Sequence, residues 1–204
     1  MNEYNEVNHV NLKGKKLGFA LTGSHCTFTD VIPQLKNLVE KGAEIYPIAS
    51  FPVLNTDTRF GAATDWQTQV EEITGKKIIS TIVEAEKFGP KIQLDAMIIA
   101  PMTGNTMSKL ANAVTDSPVL MATKATMRNL KPIILAVSTN DALGLNGKNL
   151  MQLVATKNIY FVPFGQDDPI KKPNSLIAKL DLLADTVREA LNGKQLQPLL
   201  ITFK

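Results

Sequence analysis

The stretch Leu94-Asp-Ala-Met-Ile-Ile-Ala-Pro-Met-Thr-Gly-Asn-Thr-Met-Ser-Lys109 decides the fold class. Its apolar run, Ala96 to Ala100, halts at Pro101, and a polar patch follows at Thr103-Gly104-Asn105-Thr106. Met107, Leu110, Ala111 and Val114 then recur at helical spacing. The pattern predicts a buried strand, a tight turn and a helix start. Such a turn presents free backbone N–H groups with hydroxyl and amide side chains beside them, a seat for an anionic or polar ligand. It is equally readable as a plain N-cap in which one Thr or Asn satisfies the first helical turn. In open α/β sheets, turns of this kind lie beyond the carboxyl ends of the strands, where ligands bind.

Upstream, Leu17 to Leu21 reads as a short apolar strand ending in Thr22-Gly23-Ser24-His25-Cys26-Thr27. Val31, Ile32, Leu35, Leu38 and Val39 fall on one helical face, with Thr27 or Thr29 as cap and Gly42 as terminator. Ala43 to Ser50 returns as a strand, giving a βαβ start. Phe51 to Phe60 reads as a polar loop in which Asp57 is a solvent-facing charge and Arg59 either another or a grip for a carboxylate. Trp66, Val70 and Ile73 predict a helix ending at Gly75, Lys77 to Val83 a short strand, and Glu84 to Gln93 a connecting loop.

Downstream, Asp116-Ser117-Pro118 caps a Met-bearing helix, and Pro132 to Val137 is a buried strand opening into the polar loop Ser138 to Gly147. A helix over Asn149–Lys157, a strand over Ile159–Pro163 and a loop over Phe164–Pro173 follow. Leu176, Ile177, Leu180, Leu183, Val187 and Leu191 read as one amphipathic helix capped at Asn174 or Ser175, and Leu199–Phe203 as an edge strand. The whole predicts a three-layer α/β/α domain, Rossmann-like or flavodoxin-like, with a mostly parallel sheet over residues 14–204 behind a flexible tail of residues 1–13.

The 204 residues carry a net charge of +3 with Lys and Arg dispersed, so nothing marks a nucleic-acid partner. One cysteine and two histidines cannot build an ordinary zinc site or an internal disulfide, and no metal is expected. No apolar run approaches the ~20 residues that span a bilayer, and the N-terminus has no apolar signal core, so a cytoplasmic protein without membrane contact is expected. The glycines at 18 and 23 have P-loop spacing, yet Ser24-His25 stands where Lys-Ser/Thr is needed, and no GxGxxG is present. What remains is three strand-end loops, Thr22–His25, Thr103–Thr106 and Ser138–Asn146, rich in hydroxyls and amides and without an acid–base pair. A site of that kind holds a cofactor and lets it carry the chemistry. His25 at a helix start reads either as a general base or as a neutral turn filler. Cys26 is either a thiol with lowered pKa or a small core residue.

At TGSHCT, DTRFG, APMTGNTMSK, ANAVTDSPVLMATKAT, AVSTNDALGLNGKNLM, ATKNIYFVPFGQDDP and KKPNS the chain resembles the flavoprotein superfamily of homo-oligomeric flavin-containing cysteine decarboxylases. Within it, the sequence is similar to the B-type subunits of the dipicolinate synthase family of endospore-forming bacteria. The superfamily's PASANT motif corresponds to Pro101-Met-Thr-Gly-Asn-Thr106, and its PAMN motif to Val137-Ser-Thr-Asn140. The resemblance implies a cofactor site, for FMN, at Thr22, Gly23, Ser24, Ser50, Thr103, Gly104, Asn105, Thr106 and Ser138. The motif match adds Asn140 as a catalytic candidate and Lys109 as a substrate-binding one, beside His25 as a candidate base and Arg59 as a candidate carboxylate grip from their own positions. The decarboxylases use a histidine after the second strand, and no histidine follows His25 here, so the frame is expected without the decarboxylation. The dipicolinate synthase likeness implies a two-subunit enzyme of sporulation, active in the mother-cell cytoplasm. It oxidises a dihydrodipicolinate-type dicarboxylate to pyridine-2,6-dicarboxylate, with NAD(P) carried by the A subunit of dipicolinate synthase. The superfamily likeness also implies a homo-oligomer, a trimer or dodecamer.

Overall fold

Strand β1 (Lys16–Leu21) is buried at five of its six positions, the mark of a parallel strand flanked on both sides and covered on both faces. It pairs in parallel with β2 (Glu44–Ala49) on one side and β3 (Ala96–Met102) on the other. Beyond β3 lies β4 (Ile133–Thr139), whose first half pairs in parallel with β5 (Ile159–Phe161). The order β2-β1-β3-β4-β5 is the doubly wound flavodoxin-like arrangement, with its switch point between β1 and β3. The computed structural model describes residues 11–202.

Helices connect these strands on both faces. After a 3₁₀ turn at His25–Thr27 comes α1 (Phe28–Glu40), then α2 (Phe51–Asn55), α3 (Ala63–Thr74) and α4 (Ile82–Ala85) before β3. α5 (Gly104–Ala111) and α6 (Pro118–Arg128) follow β3, α7 (Gly147–Val154) follows β4, and α8 (Leu183–Leu191) is the last helix. Alternate strand residues feed two separate cores. Phe19, Ile98 and Ile134 pack with Phe28, Val70 and Val187 on one face; Ala20, Ile99 and Leu135 pack with Met107, Val119 and Leu150 on the other. That is the expected three-layer α/β/α domain with a mostly parallel sheet, its strands buried along nearly their whole length and sending alternate side chains to the two faces.

Several segments differ from the sequence expectation. Phe51–Asn55 is a helical turn and not open loop, because Ser50 precedes it in extended conformation and Pro52 sits in its first turn. The strand expected at Lys77–Val83 is a single bridge, Ile48 to Ile79. The chain then turns into α4 through a capping box: Thr81 Oγ1 accepts the Glu84 amide at 3.2 Å, and the Glu84 carboxylate accepts the Thr81 amide at 3.1 Å. The largest departure is β6 (Phe164–Asp168) and β7 (Lys172–Ala178), an antiparallel hairpin where a loop and a helix start were expected. β7 pairs with Ser138 and Thr139 at the end of β4, so long-range sheet pairing claims Leu176 and Ile177, and the helix begins only at Leu183.

At the N-terminus, residues 1–10 of the expected tail lie outside the described residues. Leu12 is buried, and its amide donates to the Lys41 carbonyl at 3.0 Å. At the C-terminus, Leu200 makes an isolated bridge to Phe164, and Phe203 lies outside the described residues.

Candidate functional site

Because β3 lies between β1 and β4, the loops leaving these three strands emerge side by side at one end of the sheet. The buried Thr22 hydroxyl donates to the Pro101 carbonyl at 2.7 Å and accepts the Thr103 amide at 3.0 Å, tying the end of β1 to the end of β3. Thr103 is the N-cap of α5: its Oγ1 accepts the Thr106 amide at 3.3 Å and donates to Thr106 Oγ1 at 3.1 Å. The N-cap reading of this turn therefore holds: the Thr22 hydroxyl joins two strand ends, and the Thr103 hydroxyl caps α5.

Ser24 reaches further across. Its Oγ stands 2.8 Å from Ser138 Oγ at the end of β4. Gly23 lets this loop pack tightly, since a Cβ there would lie 3.3 Å from Pro52 Cβ. The loop thus sits against α2, next to Ser50. Ser50 is only 8% exposed, and its hydroxyl has no hydrogen-bond partner. An unmet buried hydroxyl costs about 1–3 kcal/mol; a bound anion accepting its hydrogen removes that cost.

His25 is half-buried, with Nε2 shut off from solvent and without a partner. Its ring lies 5.0 Å from Phe28, which meets Trp66 edge-on at 5.2 Å. Cys26 is exposed, not a core residue, with Sγ 3.8 Å from Ser24 Oγ. Asn105 and Asn140 are exposed at the rim, and Asn140 Oδ1 accepts from the buried Ser175 hydroxyl at 3.4 Å. The two basic candidates are engaged elsewhere. Arg59 is exposed with its guanidinium 4.8 Å over the Phe60 ring, and Lys109 forms an ion pair with Asp116 at 2.6 Å. Asp57 is exposed, as expected, and its carboxylate also accepts the Ala63 amide at 2.8 Å in the first turn of α3.

One residue of this region went unnoticed in the sequence. The Asp141 carboxylate accepts from Thr139 Oγ1 at 2.5 Å and from Asn146 Nδ2 at 2.6 Å. Asn149 Nδ2 donates onward to Asn146 Oδ1 at 2.8 Å. Gly104 packs against this group so closely that a Cβ would lie 2.6 Å from Asp141 Oδ1, 2.7 Å from Thr139 Oγ1 and 2.8 Å from Asn146 Nδ2. The available signal was the glycine in PMTGNT where PASANT carries alanine: a glycine opening a helix marks a close approach.

Among the described residues, no group of three His, Cys, Asp or Glu could hold a metal ion, and no helix is long and apolar enough to cross a membrane. The site is built from hydroxyls, amides and backbone N–H groups at the switch point of a doubly wound sheet. The family model described as Flavoprotein matches residues 6–188.

The chain belongs to the flavoprotein family.

A protein of Bacillus subtilis (strain 168), the B subunit of dipicolinate synthase, is 61% identical over 190 residues, covering 93% of this flavoprotein-family chain and 95% of the relative. The crystal structure of the B subunit of dipicolinate synthase from Bacillus halodurans C matches with a TM-score of 0.87 at 57% identity, over 94% of this chain and 98% of that one. The FMN-dependent cysteine decarboxylase SpaF shares the fold, with a TM-score of 0.62 at 18% identity over 89% of this chain and 97% of that one.

Proposed function

We propose that this flavoprotein-family chain is the B subunit of a dipicolinate synthase. Together with the A subunit it oxidises a dihydrodipicolinate-type ring to pyridine-2,6-dicarboxylate in the mother-cell cytoplasm of a sporulating bacterium. The likeness to the Bacillus subtilis protein over nearly the full length of both chains carries this reading. The absence of a GxGxxG loop agrees with it, since the nicotinamide site then belongs to the partner. Aromatisation removes a hydride, which goes to NAD(P)⁺, and a ring proton, which needs a base. A base role for His25 uses Nδ1, because Nε2 is shut away. Asn140, at the rim beside Ser138, would donate its amide to a substrate carboxylate.

The crevice also fits the phosphate end of FMN: Ser50 offers a buried hydroxyl without a partner, and Ser24 a second hydroxyl on the adjoining loop. In this reading Gly23, Ser24 and Ser50 hold the phosphate, while Thr103, Asn105 and Ser138 border the ring. FMN, when bound, supplies two-electron redox chemistry. A self-sufficient flavin enzyme is therefore the second reading, favoured by the orphaned Ser50 hydroxyl. Homo-oligomer formation belongs to the same proposal.

The test is the rate of pyridine-2,6-dicarboxylate formation from the dihydro precursor and NAD(P)⁺ by this chain alone, by its partner alone and by the mixture. Product from the mixture only is the expected result. Full rate from the partner alone contradicts the proposal, and a flavin-loaded chain active alone supports the second reading.

A further inference from the structure

The α5 N-terminus has the features of an anion seat, and a carboxylate of the protein stands beside its first residue. Gly104 opens α5, and Asp141 Oδ1 lies so near that a Cβ at that position would be 2.6 Å from it. The carboxylate is fixed by Thr139 and Asn146, and Asn146 is fixed by Asn149, so it cannot easily swing away. Among the described residues, Asp141 enters no ion pair. Its charge is met by the Thr139 and Asn146 donors and lies near the positive end of α5. At the other end of the crevice, the β2 end offers the reverse: the buried Ser50 hydroxyl without a partner, beside the Gly23–Ser24 loop that packs on Pro52.

We propose that Asp141, lodged against Gly104, fixes the polarity of the crevice, excluding anionic groups from the α5 N-terminus and directing the ligand's carboxylate or phosphate to Ser24 and Ser50. Asp141 is thus a specificity-determining residue that acts by charge, not a catalytic one. The inference rests on the crevice being the anion-binding site of the proposed function. It also accounts for the joint departure from the PASANT pattern: an alanine at position 104 would collide with the group that holds the charge.

Two measurements on the full chain test it. In the first, ¹⁵N amide spectra of the wild-type protein are followed while dipicolinate, and separately inorganic phosphate, is added. Shifts at Ser24 and Ser50 with quiet Asn105 and Thr106 amides are expected; equal shifts at Asn105 and Thr106 overturn the proposal. In the second, calorimetric titration at low salt compares the wild type with D141N, which is expected to bind dipicolinate about five-fold more tightly, the size of one charge near a helix end. New shifts at Asn105 and Thr106 should accompany that gain. A folded D141N that binds no tighter, or more weakly, overturns the proposal. If the anion pattern holds while the reconstituted pair makes no product, only the dipicolinate synthase reading falls; if neither protein binds either anion, both fall.

Discussion

The hydroxyls of Ser24 and Ser138 stand 2.8 Å apart, and this bond joins the loop after β1 to the end of β4 across the end of β3. Residues 114 apart in sequence are brought into contact by the strand order alone, because β1 and β4 are the two neighbours of β3. The ends of β1 and β3 are in turn tied together by Thr22, whose one hydroxyl serves both Pro101 and Thr103. The floor of the crevice is therefore a hydrogen-bonded lattice of short side chains. Its unmet capacity lies in the buried Ser50 hydroxyl and, at the edges, in the exposed Asn105 and Asn140.

Removing the Thr22 hydroxyl tests that lattice. Thr22→Val keeps the shape of the side chain and leaves the Thr103 amide and the Pro101 carbonyl without this partner. The unfolding free energy should fall by about 1–3 kcal/mol, as measured by urea denaturation. A loss below about 0.5 kcal/mol, the range of neutral surface changes, would mean that the strand ends are not held this way.

Gly104→Ala should invert the usual helix preference. In a helix interior alanine is favoured over glycine by roughly 0.8–1.0 kcal/mol. Here the added methyl meets the Asp141 group, and overpacking should destabilise the protein by about 1–3 kcal/mol. In an Asp141→Ala background that penalty should shrink, so the double-mutant cycle must show coupling. Additive effects would contradict the contact.

Ser50→Ala separates binding from stability. The Ser50 hydroxyl is buried without a partner, so its loss from the ligand-free chain should leave the melting temperature unchanged or raised. Inorganic phosphate should bind at least about ten-fold more weakly in titration calorimetry, a hydrogen bond to a charged group being about 1.5–3 kcal/mol. Unchanged binding would remove Ser50 from the site.

Titration of Tyr46 and Glu44 offers a check with opposite signs. Tyr46 donates to Glu44 at 2.8 Å; burial first, and the bond to the carboxylate second, push the phenol from 10.0 up to about 12. The same bond, ahead of Lys76, holds the Glu44 carboxyl below its ordinary value of 4.5. The raised phenol contributes stability that is fully present below pH 10.0 and disappears as pH rises through about 12. The depressed carboxyl contributes stability that is present above 4.5 and disappears as pH falls through its lower folded value. Tyr46→Phe should flatten both limbs of the stability–pH curve, and tyrosinate absorbance in the parent should show one phenol titrating near 12. Two limbs unaltered by the substitution would refute the coupling.

Much of this fold could be read from the chain because its strands are contiguous apolar runs, such as Ala96–Ala100 and Ile133–Val137, closed by polar turns. α1 and α3 likewise announced themselves by period and by Gly42 and Gly75, both of which take positive φ. Two errors had a local cue that went unused. Thr81-x-x-Glu84 is a capping-box spacing, and Ser50 with Pro52 is a helix-start pattern. The β6–β7 hairpin had none, because Leu176 and Ile177 continue the helical stripe of Leu180, Leu183 and Val187. What makes them strand is a pairing partner, Ser138 and Thr139, that only the folded sheet supplies. At the candidate site, the hydroxyl-bearing turns were visible in the sequence. Their division into structural hydroxyls at Thr22 and Thr103 and an unmet one at Ser50 depends on three-dimensional neighbours. So does the carboxylate of Asp141.

The most direct test of the central claim, that the strand-end loops form one pocket for an anionic ring compound, is a crystal structure of this chain with dipicolinate bound. The ring should lie over the end of β3, with a carboxylate at Ser24 and Ser50 and none at the first turn of α5. Dipicolinate seated elsewhere, as in the groove of about 560 Å³ beside Phe60 and Trp66, would contradict the account.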